Sequence, residues 1–480
     1  MAVMIHPFGP KPHALALIDP VSCTGCGICA MWCLMHCIDQ QPDGIYKVRS
    51  EDCIGCRSCK VNCPSGAVTM LPPKREVGAV KKPAPVKNLP LGLYIHVPFC
   101  RSKCAYCDFY SLSGSEKFMD DYCRALERHL IEVAPQAACH LVDTIYFGGG
   151  TPSYLGADRL CHLLGCIKKL YKVDKHAEIT WEANPDSAGD KKALKRLRRA
   201  GFNRISLGVQ ATDDETLRAI GRIHTWQQAQ DAVSAARKAG FKNISLDLIY
   251  GLPGQTMEQW EKTLSDAVGL LPEHLSCYGL KLEEGTPLYE RRAELTLPDE
   301  EQQADMYLYA VEFLKQCGYE QYEISNFARP GFVSRHNMKY WLLQEYAGFG
   351  PGAYSDFGNV RYGYARNLEG YLRGELVLQE SETLDADERE REYLMLRLRT
   401  VRGIEPKEFE YRFRQRFEPL AALLRQCAGQ GLAVEDEQGW HLTPKGFLVS
   451  NRIIGLLQDE LAREKNRRLQ AAARGDYRMV

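Results

Sequence analysis

The chain has 480 residues, 45% hydrophobic and 25% charged, with 61 basic residues matched by 61 acidic ones. A net charge of zero removes the electrostatic case for a nucleic-acid partner or an anionic membrane surface. The opening MAVMIHPFGPKPHALALIDP has only a short apolar patch between prolines, so neither a secretory core nor a membrane span is expected there.

The length admits two to four domains at roughly 100–200 residues each. Of nineteen cysteines, eleven fall in three tight clusters with gaps of two or three residues. Such small loops suit metal ligation better than a disulfide framework, and they imply a reducing, cytoplasmic location. The first 70 residues hold a repeat of period 30: CTGCGICAMWC from Cys23 and CIGCRSCKVNCP from Cys53, each C-x2-C-x2-C-x3-C. This is the bacterial two-cluster ferredoxin spacing, in which the fourth cysteine of each run serves the other cluster. Cys23, Cys26, Cys29 and Cys63 are therefore assigned to one [4Fe–4S] centre, and Cys53, Cys56, Cys59 and Cys33 to a second. Gly25, Gly27 and Gly55 let the backbone fold around the sulfides. A pair of zinc knuckles would leave the third and fourth cysteine of each run unused. Leu34 stands where the second run has Pro64, and Cys37 aligns with Ala67; Cys37 reads as a spare ligand or, more plainly, a buried thiol.

Residues 71–90 are rich in proline and lysine and are expected to form an extended linker. From 91 to 300, six apolar runs (91–97, 142–148, 178–183, 204–210, 244–250 and 275–282) alternate with amphipathic stretches. That rhythm predicts parallel βα units closing into a partial (β/α)6 barrel of the α/β class. Residues 301–384 are read as an extension of the barrel, 385–460 as a mostly helical winged-helix-like domain acting as a packing lid, and 461–480 as a basic tail.

FCRSKCAYCDFY supplies three cysteines, Cys100, Cys104 and Cys107, just past the first barrel strand. A cubane held by three thiolates keeps one iron open, as a catalytic zinc keeps an open position. The amine and carboxylate of an amino acid would fill it as a chelate. GGGTP (148–152), Glu182, Gln210, Arg222 and Asp247 all fall at or beyond strand ends, on the rim where parallel barrels gather functional groups. Singly each has a dull explanation, as a cap, a turn or a surface charge. Tyr94, Tyr106 and Phe109 offer flat apolar faces for an adenine or a methionine.

CRSKCAYC resembles the C-x3-C-x-aromatic-C signature of the radical S-adenosylmethionine (SAM) enzymes. YIHVPFC, YFGGGTPSYL, WEANPDS, RISLGVQ, NISLDLIYGLPGQT and RHNMKYW narrow the likeness to the family of oxygen-independent coproporphyrinogen III oxidase and the heme chaperone HemW, over about residues 90–460. The resemblance implies cluster ligation by Cys100, Cys104 and Cys107. It further implies contacts to one SAM from Tyr94, Gly149 and Glu182, and to a second SAM site from Tyr106, Gly150, Thr151, Gln210, Arg222 and Asp247. The oxidase resembles C-x3-C-x2-C-x-C, and Phe109 occupies the place of its last cysteine. RHNMKYW resembles the H-N-x-x-Y-W element of HemW-type proteins, making His336 a candidate axial heme ligand, against the plainer reading of a hydrogen-bonded loop histidine.

Three [4Fe–4S] clusters, SAM and heme are the expected cofactors. Two tethered clusters would raise the local concentration of electron donor for reductive SAM cleavage. The expected task is HemW-like heme handling or transfer. Heme or another tetrapyrrole, heme-accepting proteins and an upstream electron donor are the partners implied. Decarboxylation of coproporphyrinogen III, a SAM-dependent methyl transfer, and SAM binding without cleavage stay open as alternatives.

Overall fold

The computed structural model describes residues 15–71, apart from Leu34, Glu51 and Ile54, and residues 88–473. Most of the expected linker (72–87), the end of the expected tail (474–480) and Leu34 lie outside the described residues. The chain divides into two compact units: one comprises residues 1–85, 406–423 and 455–480, the other 86–405 and 424–454.

In the first unit the 30-residue sequence repeat is also a repeat in space. Strands β1 (Leu15–Ile18), β2 (Ile38–Gln40), β3 (Tyr46–Val48) and β4 (Val68–Leu71) form two antiparallel pairs, β1 with β4 and β2 with β3. Single helical turns at Ile28–Met31 and Ser58–Val61 sit at matching positions. Gly25, Gly27 and Gly55 all have left-handed φ, at 67°, 75° and 69°, so the tight turns expected between the cysteines are present. The repeat is closed by equivalent hydrogen bonds: Asp19 N–H to Ala67 O at 2.9 Å, and Arg49 N–H to Cys37 O at 2.7 Å.

This unit also takes in helical segments from the C-terminal region. Phe409 packs against Phe413 and Phe417, with ring centroids 5.2 and 5.4 Å apart. Arg414 Nε donates to His36 Nε2 at 3.4 Å, and Lys465 Nζ stands 5.3 Å above the Trp32 ring. Residues 461–473, expected as a tail, continue a helix running from Ser450 to Ala473. No proline or glycine interrupts it after Gly455, and pairs such as Glu464–Arg468 (3.0 Å) set its charges at helical spacing.

The second unit is built on a twelve-stranded sheet. Its centre is six parallel strands in sequence order: β5 (Leu89–Val97), β6 (His140–Gly149), β7 (Val173–Ala183), β8 (Arg204–Gln210), β9 (Ile244–Tyr250) and β10 (His274–Gly279). These are the six predicted strands. Capping boxes start three of the intervening or flanking helices, at Thr225–Gln228, Thr256–Gln259 and Asp299–Gln302.

The sheet continues past both ends of the barrel series. Beyond β10 lies the hairpin β11 (Glu320–Glu323) and β12 (Asn326–Ala328), with β12 antiparallel to β10. On the other side β13 (Tyr346–Phe349) pairs parallel with β5, followed by an antiparallel meander of β14 (Tyr354–Phe357), β15 (Val360–Tyr364) and β16 (Leu378–Glu382). A last antiparallel hairpin is formed by β17 (Ala433–Asp436) and β18 (Gly439–Leu442). No helix among the described residues is long and apolar enough to cross a membrane.

The barrel strands sort their side chains by strict alternation. Leu91, Leu93, Ile95, Val97, Ile145, Phe147, Ile205, Leu207, Ile244 and Leu246 point into an apolar core shared with the helices. The intervening residues on the other face are polar: Tyr146 bonds Glu182, Ser206 and Ser276 bond Asp247, Ser245 bonds His274, and Thr144 bonds His336. The barrel interior is thus a polar chamber with an apolar jacket.

Candidate functional site

The three-cysteine loop is pinned to the rim by its backbone. Cys100 N–H donates to Leu112 O at 3.0 Å, Ala105 N–H to Ile220 O at 3.0 Å, and Leu288 N–H to Ala105 O at 2.8 Å. Next to it, Gly150 and Thr151 donate their N–H groups to Val97 O and Phe99 O, both at 2.8 Å. A Cβ on Gly150 would meet those same two carbonyl oxygens at 2.8 Å, so only glycine fits this approach.

Side chains close a ring around the loop. Thr151 Oγ1 donates to Cys100 Sγ at 3.3 Å and accepts from Asn184 Nδ2 at 3.3 Å. Arg222 Nη2 donates to Asn184 Oδ1 at 2.8 Å and to Gly208 O, while Nη1 reaches Cys104 Sγ at 3.4 Å. Arg222 Nε, also buried, has no hydrogen-bond partner among the described residues. Gln210 holds the end of β8 at φ 67°, a left-handed conformation costly for a residue with a side chain, beside a shift of register against β9.

Two carboxylates lie inside the chamber. Glu182 accepts from Tyr146 OH at 2.7 Å and from Gly149 N–H at 3.2 Å. Burial, against those hydrogen bonds, pushes its pKa up to about 7. Asp247 accepts from Ser276 at 2.8 Å and Ser206 at 3.0 Å, and burial again raises it. Arg204, 2% exposed, is the cation whose field favours ionisation of both. Tyr94 OH donates to His96 Nδ1 at 3.1 Å, since His96 Nε2 faces the Tyr110 carbonyl at 2.8 Å; burial holds this imidazole neutral, with its pKa lowered to about 4. Tyr106 packs with Leu217, Ile220, Ile249 and Leu252. Phe109, expected among the flat apolar faces of the site, is 68% exposed and does not join them.

His336 is not on a loop. It lies in the first turn of the helix Arg335–Trp341, 1% exposed, with its N–H and that of Arg335 donated to Glu178 at 3.0 Å. Nδ1 is paired with Thr144 Oγ1 at 2.8 Å and Nε2 with Tyr340 OH at 2.9 Å. The ring stacks on Tyr146 with centroids 5.2 Å apart, and burial lowers its pKa to about 3. Thr144 precedes Gly148 by four strand residues, roughly 13 Å at 3.3 Å per residue, so His336 sits deeper in the chamber than the rim groups.

Sequence reasoning gave no role to Asn184, His96, Tyr146 or Arg204. The first two stand inside WEANPDS and YIHVPFC, and Arg204 is a charge opening an otherwise apolar strand.

In the first unit, Cys29 shares its surroundings with Cys23, Cys26 and Cys63. A separate, partly open pocket is lined by Cys33, Cys53, Cys56 and Cys59, and also by Cys37. Every cysteine in the described residues is a free thiol. Burial pushes Cys29 up to about 12 and Cys59 and Cys107 up to about 11, so the protein alone does not hold them as thiolates. A cationic iron group is what would ionise them, and the donor sets fit one.

The family model of the Radical SAM superfamily matches residues 94–267, and that of the HemN C-terminal domain matches 384–449. Heme chaperone HemW of Bacillus subtilis is 36% identical over 378 residues, which cover 77% of this chain and 99% of that protein. The Lactococcus lactis and Escherichia coli heme chaperones HemW are 39% and 35% identical, over 76% and 78% of this chain and 96% and 100% of their own lengths. The chain belongs to the HemW family of radical SAM proteins. Its fold also matches the structure of coproporphyrinogen III oxidase (HemN) from Escherichia coli, with a TM-score of 0.68 and 27% identity over 78% of this chain and 91% of that one. Membership in the radical SAM superfamily carries a [4Fe–4S] cluster and SAM with it. The cysteine-rich first 71 residues lie outside both family models.

Proposed function

We propose that this HemW-family chain binds heme for handling or transfer to acceptor proteins and uses SAM at its barrel rim. Two further [4Fe–4S] clusters in its first unit would relay electrons from an upstream donor. The observation that carries the SAM reading is the ring Cys100–Thr151–Asn184–Arg222–Cys104, which ties the three-cysteine loop to the ends of β6, β7 and β8. When bound, the cluster supplies an open iron and one low-potential electron for cleaving a sulfonium.

The remaining work falls to the chain's own groups. Arg222 and Asp247 bring opposite charges for a zwitterionic amino acid. Ionised Glu182 accepts from ribose hydroxyls. The backbone of Gly149 and Gly150 allows close approach, and Tyr94 and Tyr106 present apolar faces. Ligation of heme iron by Nε2 of His336 would require the Tyr340 hydroxyl to leave that nitrogen, and so would belong to an opened state of the chamber. The heme role itself rests on the names of the HemW relatives and on Phe109, which stands at the place of the last cysteine in the oxidase's C-x3-C-x2-C-x-C pattern.

The test is anaerobic reconstitution with dithionite and SAM, with and without heme. Formation of 5′-deoxyadenosine together with a Soret band on heme titration supports the proposal; no heme binding removes it. The structural likeness to HemN favours one second reading, oxidation of coproporphyrinogen III. Loss of carboxyl groups from that substrate would select it, and S-adenosylhomocysteine formation would point to methyl transfer instead.

A further inference from the structure

The two halves of the cysteine-rich repeat differ at one buried position. Residues 37 and 67 are equivalent: each offers its carbonyl to the matching hydrogen bond of the pseudo-twofold, and each is 2% exposed. In the second half the residue is alanine. In the first it is cysteine, so the packing demand at this site is met without a sulfur. What Cys37 adds is a thiol 3.4 Å from Cys33 Sγ, and its backbone N–H also donates to that sulfur at 3.4 Å. Cys37 interacts with Cys53 as well, and it lines the same pocket as Cys33, Cys53, Cys56 and Cys59. One cluster position therefore has five thiols around it. The other has the four gathered about Cys29.

We infer that Cys37 is a reserve ligand of the second cluster, able to take over the iron that Cys33 holds. The exchange is a ligand substitution without change of redox state: the iron–sulfur bond to Cys33 breaks, that thiolate takes a proton, and Cys37 gives up its own proton to bind the same iron. The backbone favours such an exchange. His36, just before Cys37, holds φ 47° where the equivalent residue is Gly66 at φ 67°, so the loop carries strain that a small shift could relieve. The inference rests on the two-cluster ferredoxin reading of the first unit.

The test is the iron and sulfide content of the full-length chain after anaerobic reconstitution, with low-temperature EPR of the reduced protein. Wild type should carry about 12 irons, four per cluster. Cys33→Ala should keep that content, with an altered EPR signal, whereas Cys33→Ala/Cys37→Ala should lose between one and four irons. Cys63→Ala, whose cluster has no fifth thiol among the described residues, is the matched control and should lose iron as a single substitution. Equal iron loss in Cys33→Ala and Cys63→Ala, or equal content in Cys33→Ala and the double variant, would overturn the inference. Wild type holding only about 4 irons would overturn the ferredoxin reading and this inference with it. The iron retained at the barrel cluster reports in each variant that the second unit has folded.

Discussion

Asn184 and Arg222 are joined by a 2.8 Å hydrogen bond that bridges two rim loops, and through it the sulfurs of Cys100 and Cys104 belong to one connected set of side chains. Asn184 is the hinge of that set: its amide donates toward Thr151 and accepts from the guanidinium. Replacing it with alanine leaves Arg222 Nη2 with Gly208 O alone and removes a donor from Thr151. Unsatisfied buried groups of this kind cost about 1–3 kcal/mol. Asn184→Ala is expected to weaken SAM binding about tenfold or more, read by equilibrium dialysis of the reconstituted protein. Unchanged affinity would detach the ring from SAM.

Substituting Cys100, Cys104 and Cys107 together with alanine should abolish 5′-deoxyadenosine formation. Eight of the eleven cluster thiols lie in the first unit, so about two-thirds of the iron should remain. Iron analysis decides this, and near-complete loss would contradict the two-cluster assignment.

Glu182 gives a pH dependence of known sign. Its folded pKa of about 7 lies above the ordinary 4.5, with burial as the main cause. The folded state therefore holds the proton more tightly, and this stabilisation is fully present below pH 4.5 and lost as pH rises through 7. The shift corresponds to about 3 kcal/mol. Glu182→Gln should remove that component. In denaturant unfolding without SAM, the stability of the variant relative to wild type should increase between pH 5 and pH 8. SAM affinity should fall in the same variant, because an ionised acceptor is gone. A stability difference independent of pH would refute the assignment.

The heme proposal can be probed through Tyr340. Removing its hydroxyl frees His336 Nε2 while keeping the ring. Tyr340→Phe should tighten heme binding and His336→Ala should abolish the Soret shift. If both variants titrate like wild type, His336 is not the axial ligand and its role is to hold the chamber wall against Thr144.

All six barrel strands were legible as apolar runs because each buries its outer face under helices, and the cysteine spacings marked the 30-residue repeat whose two halves fold alike in the first unit. The polar chamber was not legible in the same way. Thr144, Tyr146 and Ser206 alternate with residues such as Ile145 and Leu207, and a run scored as hydrophobic hides which face is which. Arg222, Glu182 and Asp247 could be placed on one rim from strand ends, but the hydrogen bond between Asn184 and Arg222 joins residues 38 apart and depends on how two loops fold. Gln210's left-handed backbone leaves no trace in composition. The pairing of β13 with β5 was missed because YAGF (Tyr346–Phe349) is a four-residue run, and its partner lies some 250 residues earlier in the chain.

That last pairing has a consequence for how the molecule can be divided. With β13 paired to it from Gly92 to Ile95, β5 is an interior strand of the sheet rather than its edge. A chain cut after the six βα units, near residue 317, would strip that cover and leave a long, flat, apolar edge open to self-association. A fragment that keeps β5 covered must therefore extend to at least Phe349, well beyond the repeat that defines the barrel.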